Sequence, residues 1–158
     1  MPKRKPEIIG WKESVDLLDW GIHHVVAKSD TGARRSAIDV SNIKELPGGR
    51  VQFDIALHRK KRDEIKTIIA PIAQQTHVKS SNGQKHERYF VRTRIRIGDR
   101  EKEVDLSLVC RKSMTCRMLI GRKTLEDDFI VDSSETFMAR PRKRLALFEE
   151  TIPETIKL

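Results

Sequence analysis

Cysteine, aromatic residues and long apolar runs are all scarce in this chain of 158 residues. Cys110 and Cys116 are the only cysteines, and two structural free thiols are favoured over a disulfide or a redox pair. No apolar run is long enough to span a bilayer, and the basic N-terminus has no apolar stretch behind it that would make it a signal peptide. We therefore expect a cytoplasmic protein with no membrane contact.

The scarcity of aromatic residues also limits one class of binding. They make up 5% of the chain, and only Tyr89 and Phe90 lie within a basic segment, so stacking platforms for single-stranded nucleic acid are few. Charge, by contrast, is abundant: 32 Lys and Arg against 23 Asp and Glu give a formal net charge of +9. Such a surplus attracts nucleic acid or acidic peptides, so an acidic partner is expected.

Apolar residues alternate with polar ones along several short segments, which predicts an all-β fold. In VQFDIALH (51–58) the apolar positions are Val51, Phe53, Ile55 and Leu57, and YFVRTRIRIG places three arginines opposite its apolar face. Asn82-Gly83 and Gly98-Asp99 predict hairpin turns, and Pro71 favours a strand edge or strand end. The segments predict a domain over 9–138, an N-terminal tail over 1–8 and a C-terminal extension over 139–158.

An Asp-Thr-Gly tripeptide follows the strand-like segment HHVVAKSD (23–30). A carboxylate on such a tight loop is held by backbone amides, and on its own it is a common turn. Two such carboxylates brought together cannot both ionise, so one keeps a proton while the other acts as a base toward a shared water. Asp30 is therefore either a turn residue or one half of a catalytic pair.

Other segments favour the catalytic interpretation. DTGA is followed later by MLIGR and a segment suited to one or two helical turns, an order that resembles the retropepsin-like aspartic proteases. AKSDTGARRSAI, HVKSSNGQKHERYFVRTRIRIG, DLSLVCRKSMTCRMLIGR and FIVDSS together resemble the bacterial family often labelled ATP-dependent zinc proteases, which accompany RimK-type glutamate ligases. The resemblance covers residues 9–137 and implies a retropepsin-like closed β-barrel with one short helix after the Gly-Arg motif.

By this resemblance, Asp30 is the catalytic carboxylate, Thr31 and Gly32 hold its loop, and Gly121 and Arg122 support that loop from behind. Because the chain has one such Asp, the retropepsin mechanism requires a homodimer that contributes two. The flap over the substrate would include the hairpin residues Ser80, Ser81, Asn82 and Gly83.

The sequence departs from viral retropepsins beside the motif, where Arg34 replaces an acidic residue that would pair with the Arg of the Gly-Arg motif. Arg122 must then find another partner, for which Glu87 and Asp105 are candidates. Arg34 gives the cleft a basic wall, which favours a substrate rich in Glu or Asp. Candidate readers of that substrate are Arg34, Arg35, Lys79 and Arg88. Ser29, just before the motif, either lowers the pKa of Asp30 through a hydrogen bond or has no effect.

The zinc and ATP of the family label find little support in the residues. HERYF (86–90) has Phe90 where a second His ligand is required, and the neighbours His23 and His24 would point to opposite faces of a strand. GRKTL lacks the glycine spacing of a phosphate-binding loop. We expect no metal and no cofactor.

Two functions remain open from the sequence. The first is an aspartic endopeptidase, homodimeric, acting on an acidic or glutamate-tailed protein. The alternative is a non-catalytic basic β-barrel that binds RNA, the ribosome or an acidic protein, with Asp30 as a turn residue. In that case the nucleic acid contacts would come from the strand face of Arg92, Arg94 and Arg96, from the RKKR loop (59–62) or from the RPRKR segment (140–144).

Overall fold

The computed structural model describes residues 4–58, 61, 63–79, 83, 85–110 and 116–139, with the backbone alone at 78, 79, 85 and 86. The regular secondary structure of this part is nearly all β, as predicted. Its one α-helix follows Gly121, also as predicted, and a short 3-10 helix at Leu18–Trp20 was not anticipated. The elements are β1 (Glu7–Leu17), β2 (Ile22–Ser29), β3 (Ser36–Asp39), β4 (Ser41–Leu46), β5 (Arg50–Ala56), β6 (Ile65–Lys79), β7 (Lys85–Ile97), β8 (Arg100–Val109), β9 (Met118–Ile120), α1 (Arg122–Leu125) and β10 (Phe129–Thr136).

The strands pair in the order β10-β1-β2-β9-β3-β8-β7-β6-β5-β4. A further short pairing joins β1 to β7, with Asp16 opposite Arg96 and Leu17 opposite Ile95. This contact brings together strands from opposite parts of the order, and closure into a full barrel stays a prediction. No helix in the described residues is both long and apolar enough to cross a membrane.

Side-chain alternation places the core as the sequence predicted. On β7 the apolar face is buried, with Val91 fully covered and Ile95 and Ile97 each 1% exposed. On β5, Phe53 is fully buried and packs edge-on against Trp20 with 5.4 Å between ring centroids. The predicted alternation of that segment is wrong at Leu57, which follows the end of β5 and is 36% exposed. Cys116 is buried, Cys110 is exposed, and both are free thiols.

Strand β6 changes its partner partway along its length. Ile65 to Pro71 pair with β5, whereas Ile72 to Lys79 pair with β7, with a register shift between Ile72 and Gln74. The prediction that Pro71 lies at a strand edge or strand end is therefore wrong. Pro71 lies inside β6, at the point where the pairing with β5 stops and the pairing with β7 begins. A residue without an N–H group is tolerated there because the ladder is interrupted.

A buried carboxylate fastens β4 and β6 to β5. Asp54 is 8% exposed and accepts hydrogen bonds from Asn42 Nδ2 at 2.9 Å and Thr67 Oγ1 at 2.7 Å. These two bonds, the first more than the second, hold the pKa of Asp54 below its usual value. The pKa of Asp54 is thus lower in the folded state than in the unfolded state. The ionised carboxylate therefore stabilises the fold fully above the unfolded pKa, and this contribution is lost as the pH falls through the folded pKa.

The three arginines on the outer face of β7 are paired with carboxylates. Arg92 contacts Asp105 at 2.9 Å, and this hydrogen bond raises the pKa of Arg92. The next two arginines along β7 also form ion pairs. Arg94 pairs with Asp19 and Glu101, and Arg96 pairs with Asp16 and Glu101. Exposed pairs add little stability, but they cancel most of the positive charge that the sequence predicted for this face.

Candidate functional site

Asp30 lies directly after β2, where that strand runs parallel to β9. Ser29 is paired with Ile120, and the Asp30 N–H donates to the Ile120 carbonyl at 2.8 Å. The apolar run of β2 ends at this point, so the half-buried Asp30 is presented from a rigid strand end. A functional carboxylate is positioned better by such an anchor than by a free loop.

The loop after Asp30 folds back on the aspartate. Gly32 N–H donates to Asp30 Oδ1 at 3.0 Å, and Ala33 N–H donates to the Asp30 carbonyl at 3.2 Å. An added Cβ on Gly32 would stand 3.2 Å from Asp30 Oδ1, a tight approach that favours glycine. The predicted tight loop of Asp30, Thr31 and Gly32 is therefore present, with the carboxylate fixed by a backbone amide.

The start of α1 supports this loop from the other side. Arg122 N–H donates to the Ala33 carbonyl at 2.8 Å, and Arg122 Nη1 donates to the Thr31 carbonyl at 3.0 Å. The predicted partners of Arg122 are thus wrong, because Glu87 accepts from Tyr89 and Asp105 is paired with Arg92. The Arg of the Gly-Arg motif holds the loop through a backbone carbonyl and needs no acidic partner.

Two buried hydroxyl groups behind the loop were not found by the sequence analysis. Ser36 Oγ and Thr124 Oγ1 are 2.7 Å apart, and Gly121 N–H donates to Ser36 Oγ at 3.0 Å. Ser36 is 1% exposed and Thr124 is 2% exposed. This network ties β3, α1 and the Gly-Arg motif together, and no local pattern could have signalled it because the two hydroxyls are 88 residues apart.

Gly121 has no room for a side chain, because an added Cβ would lie 2.4 Å from the Arg35 carbonyl oxygen. We expect Gly121→Ala to lower the free energy of unfolding by about 1–3 kcal/mol, the usual cost of overpacking. Denaturant unfolding measures this loss. Lys123→Ala is the control on the same helix, where the side chain is exposed and a change within about 0.5 kcal/mol is expected. A Gly121→Ala protein as stable as its parent would mean that the loop can shift freely.

A cavity of about 420 Å³, here called the Asp30 cavity, brings Asp30 together with Arg34, Arg35 and Arg88. Arg35 reaches it from the end of the loop, with its guanidinium 4.6 Å from the centroid of the Phe90 ring and hydrogen-bonded to Gln74 Oε1. The ion pairs within the described part of the chain do not include Arg34 or Arg88. The charges of Arg34 and Arg88 are therefore not neutralised by an ion pair within these residues.

Most of the predicted flap residues lie outside the described part of the chain. Ser80, Ser81 and Asn82 are outside the described residues, and Lys79 is placed only by its backbone, opposite Lys85 at the end of the β6–β7 pairing. Gly83 is exposed and has φ +84°, as a hairpin glycine should. The hairpin itself is confirmed, whereas a role over the substrate stays a prediction.

Ser29 makes its hydrogen bond away from the carboxylate. Its buried hydroxyl donates to the Gly10 carbonyl at 3.0 Å and so joins β2 to β1. Of the two alternatives drawn from the sequence, a bond from this hydroxyl to Asp30 is not the one observed.

Within the described ranges, no three His, Cys, Asp or Glu side chains lie close enough together to hold one metal ion. Glu87 and Phe90 of the HERYF segment lie on β7, where Phe90 lines the Asp30 cavity and cannot act as a ligand. His23 and His24 are both exposed, with 6.4 Å between ring centroids. The described residues therefore do not fit the zinc of the family label.

Comparison with known proteins relates the whole of this architecture to one family. Residues 8–142 match a family described as RimB-like, retropepsin-like aspartic endopeptidase RimB. In the solved structures, a Legionella pneumophila protein of unknown function has the same fold, with a TM-score of 0.70 and 22% identity over 85% of this chain and 98% of that one.

Curated relatives carry a different name. Proteins of Shewanella pealeana and Shewanella halifaxensis, each named “Probable alpha-L-glutamate ligase”, are 33% identical over 133 residues, which is 82% of this chain and 29% of theirs. A Desulfotalea psychrophila protein of the same name is 29% identical over 129 residues, 80% of this chain and 28% of its own length. The chain spans less than a third of the length of the curated relatives it matches.

Proposed function

Because the chain belongs to the RimB-like family of retropepsin-like aspartic endopeptidases, we propose that it is an aspartic endopeptidase that hydrolyses acidic peptides as a homodimer. The observation that carries the proposal is the Asp30 cavity, in which one carboxylate at a strand end lies among three arginines. The carboxylate suits general acid–base hydrolysis of a peptide bond, and the arginines suit a substrate rich in glutamate.

The chemistry follows from bringing two Asp30 side chains together. Each chain has a single Asp-Thr-Gly, so two copies are needed to place two carboxylates around one water. One carboxylate removes a proton from the water as it attacks the peptide carbonyl, while the protonated partner hydrogen-bonds the carbonyl oxygen. The amide nitrogen then takes a proton as the C–N bond breaks, which returns the pair to its singly protonated state.

The arginines of the Asp30 cavity would select acidic substrates. Guanidinium groups pair with carboxylates in a planar, two-point geometry, and those of Arg34, Arg35 and Arg88 line the same cavity as Asp30. An acidic side chain next to the scissile bond would be held there while a neutral one would leave the arginine charges uncompensated. Selection for Glu or Asp then comes from both attraction and exclusion.

The names of the curated relatives also point to glutamate, through the bonds that link one glutamate to the next. Those relatives are named as glutamate ligases, and this chain matches less than a third of their length. The matched portion would then be a unit separate from the one that joins glutamates. A peptidase unit that removes what a ligase adds, α-linked glutamates on an acidic tail, fits both the family description and the charge of the cavity.

The rival function, a basic module that binds nucleic acid or the ribosome, loses one of its candidate surfaces. Arg92, Arg94 and Arg96 are paired with acidic residues on neighbouring elements. Phosphate contacts from this face would require those pairs to break, whereas Arg34 and Arg88 are available in the Asp30 cavity.

The test is hydrolysis of a poly-α-glutamate peptide, measured with and without a chelator over protein concentrations that span dimer dissociation. We expect activity that survives the chelator and a specific activity that falls on dilution, because a monomer holds only one Asp30. A strictly monomeric protein that still cleaves the peptide would rule out the shared pair. Activity abolished by the chelator would indicate a metallopeptidase instead.

A further inference from the structure

Four residues in register across neighbouring strands form the floor of the Asp30 cavity. Phe90 on β7 is opposite Ser107 on β8, Ser107 is opposite Ala37 on β3, and Ala37 is opposite Leu119 on β9. Residues in register share a face of the sheet, and all four line the cavity. The two small side chains, Ser107 and Ala37, stand between the two large ones and leave a depression in the middle of the row.

Ser107 is the only polar side chain in this row, and its hydroxyl finds no hydrogen-bond partner among the described residues. The residue is 5% exposed, and its Oγ makes no hydrogen bond within the described part of the chain. A buried hydroxyl without a partner destabilises the folded state. By contrast, the buried hydroxyls of Ser36 and Thr124 bond to each other, and that of Ser29 donates to the Gly10 carbonyl. An unsatisfied hydroxyl at the centre of a cavity floor therefore points to a ligand that completes it.

The surroundings of Ser107 define the chemistry of that ligand. Phe90, Ala37 and Leu119 offer an apolar surface for methylene groups, while Arg34, Arg35 and Arg88 supply positive charge in the same cavity. A hydroxyl both donates and accepts, and it reorients by rotation about χ1. A glutamate side chain matches these surroundings, because its methylene groups suit the apolar surface and its terminal carboxylate suits the hydroxyl and the arginines.

We propose that Ser107 is a specificity-determining residue, whose hydroxyl donates a hydrogen bond to the carboxylate of a substrate glutamate that enters the Asp30 cavity. This inference rests on the proposed acidic substrate but not on cleavage. Donation to an ionised acceptor is stronger than donation to a neutral one. Ser107 therefore favours glutamate over glutamine, in addition to the arginines.

The experiment measures binding without turnover. A fluorescein-labelled oligo-α-glutamate peptide is titrated with Asp30→Asn protein, which keeps the cavity, and with the same protein carrying Ser107→Ala. We expect Ser107→Ala to raise the Kd for the glutamate peptide about tenfold, the effect of one hydrogen bond to a charged group, and to change the Kd of a glutamine peptide much less. The melting temperature should stay the same or rise, because an unsatisfied buried hydroxyl is removed.

Thr93→Val is the matched control. Thr93 is a buried hydroxyl residue on β7, 1% exposed, but its Oγ1 donates to Asp19 Oδ2 at 3.2 Å. This variant should lower the melting temperature and leave peptide binding unchanged. Ser107→Cys retains the size of the side chain with a much weaker donor, so it repeats the test if the alanine variant fails to fold.

The outcomes separate this inference from the proposed function. If the parent binds the glutamate peptide and Ser107→Ala binds it equally well, the role of Ser107 is overturned while the acidic substrate stands. If Ser107→Ala weakens binding as expected but wild-type protein does not cleave the peptide, the inference holds and the peptidase proposal fails. A parent that does not bind the glutamate peptide overturns both.

Discussion

Asp30→Asn should reduce hydrolysis of a poly-α-glutamate peptide by about 10³-fold, the scale of general acid–base catalysis. An asparagine amide neither accepts a proton from water nor holds the single proton that two carboxylates would share. The backbone bonds that fix Asp30 use its N–H, its carbonyl oxygen and one side-chain oxygen, all of which asparagine retains. The fold should therefore survive, and steady-state kinetics with an unchanged melting temperature would assign the loss to chemistry.

The control for Asp30→Asn is Asp63→Asn, in an exposed turn before β6, which should leave the rate unchanged. A mixing experiment then tests whether two copies share one site. Excess Asp30→Asn subunits should inhibit wild-type protein, because exchange leaves most wild-type chains in mixed dimers with one aspartate. Full wild-type activity after complete exchange would show that each chain works alone.

Arg88→Glu should have the second-largest effect, a fall in kcat/KM for the glutamate peptide of about 10- to 100-fold. That range corresponds to the ~1.5–3 kcal/mol of a hydrogen bond to a charged group. The half-buried Arg88 lies in the Asp30 cavity and takes part in none of the ion pairs within the described residues. Reversing its charge therefore removes an attraction to the substrate and adds a repulsion without breaking an existing pair.

Two comparisons make this prediction specific. A peptide with glutamine in place of glutamate should be cleaved by Arg88→Glu about as well as by wild type, since no substrate charge is then involved. Lys44→Glu, an equal change of charge at an exposed position on β4, should leave both peptides unaffected beyond the weak influence of net charge. Equal losses on both peptides would mean that Arg88 supports the structure of the site and does not select acidic residues.

Those parts of the fold that depend on local pattern were predictable from the sequence. The alternation along β7, the turns at Gly83 and Gly98, and the helix after Gly121 each follow from a few neighbouring residues. Pro71 shows the limit of such local rules. Its missing N–H group led to the prediction of a strand edge or strand end, whereas β6 continues beyond Pro71 with a new partner, which the sequence could not show.

The candidate site was predictable where it rests on a motif and not where it rests on tertiary contact. Asp30, Arg34, Arg35 and Arg88 were selected from the sequence and do meet in one cavity. The bond from Arg122 to the Thr31 carbonyl was missed because charge alone suggested an acidic partner. Ser107 went unnoticed because a serine in an alternating strand carries no sign that its hydroxyl lacks a partner.

The change of partner along β6 also affects how the molecule loses its structure. The first half of this strand completes the ladder with β5, and its second half completes the ladder with β7. The two ladders use different residues of β6, so β5 can separate from residues 65–71 while residues 72–79 stay paired with β7. We therefore expect the β4–β5 end of the sheet to open locally without disturbing β7, the strand that carries Arg88.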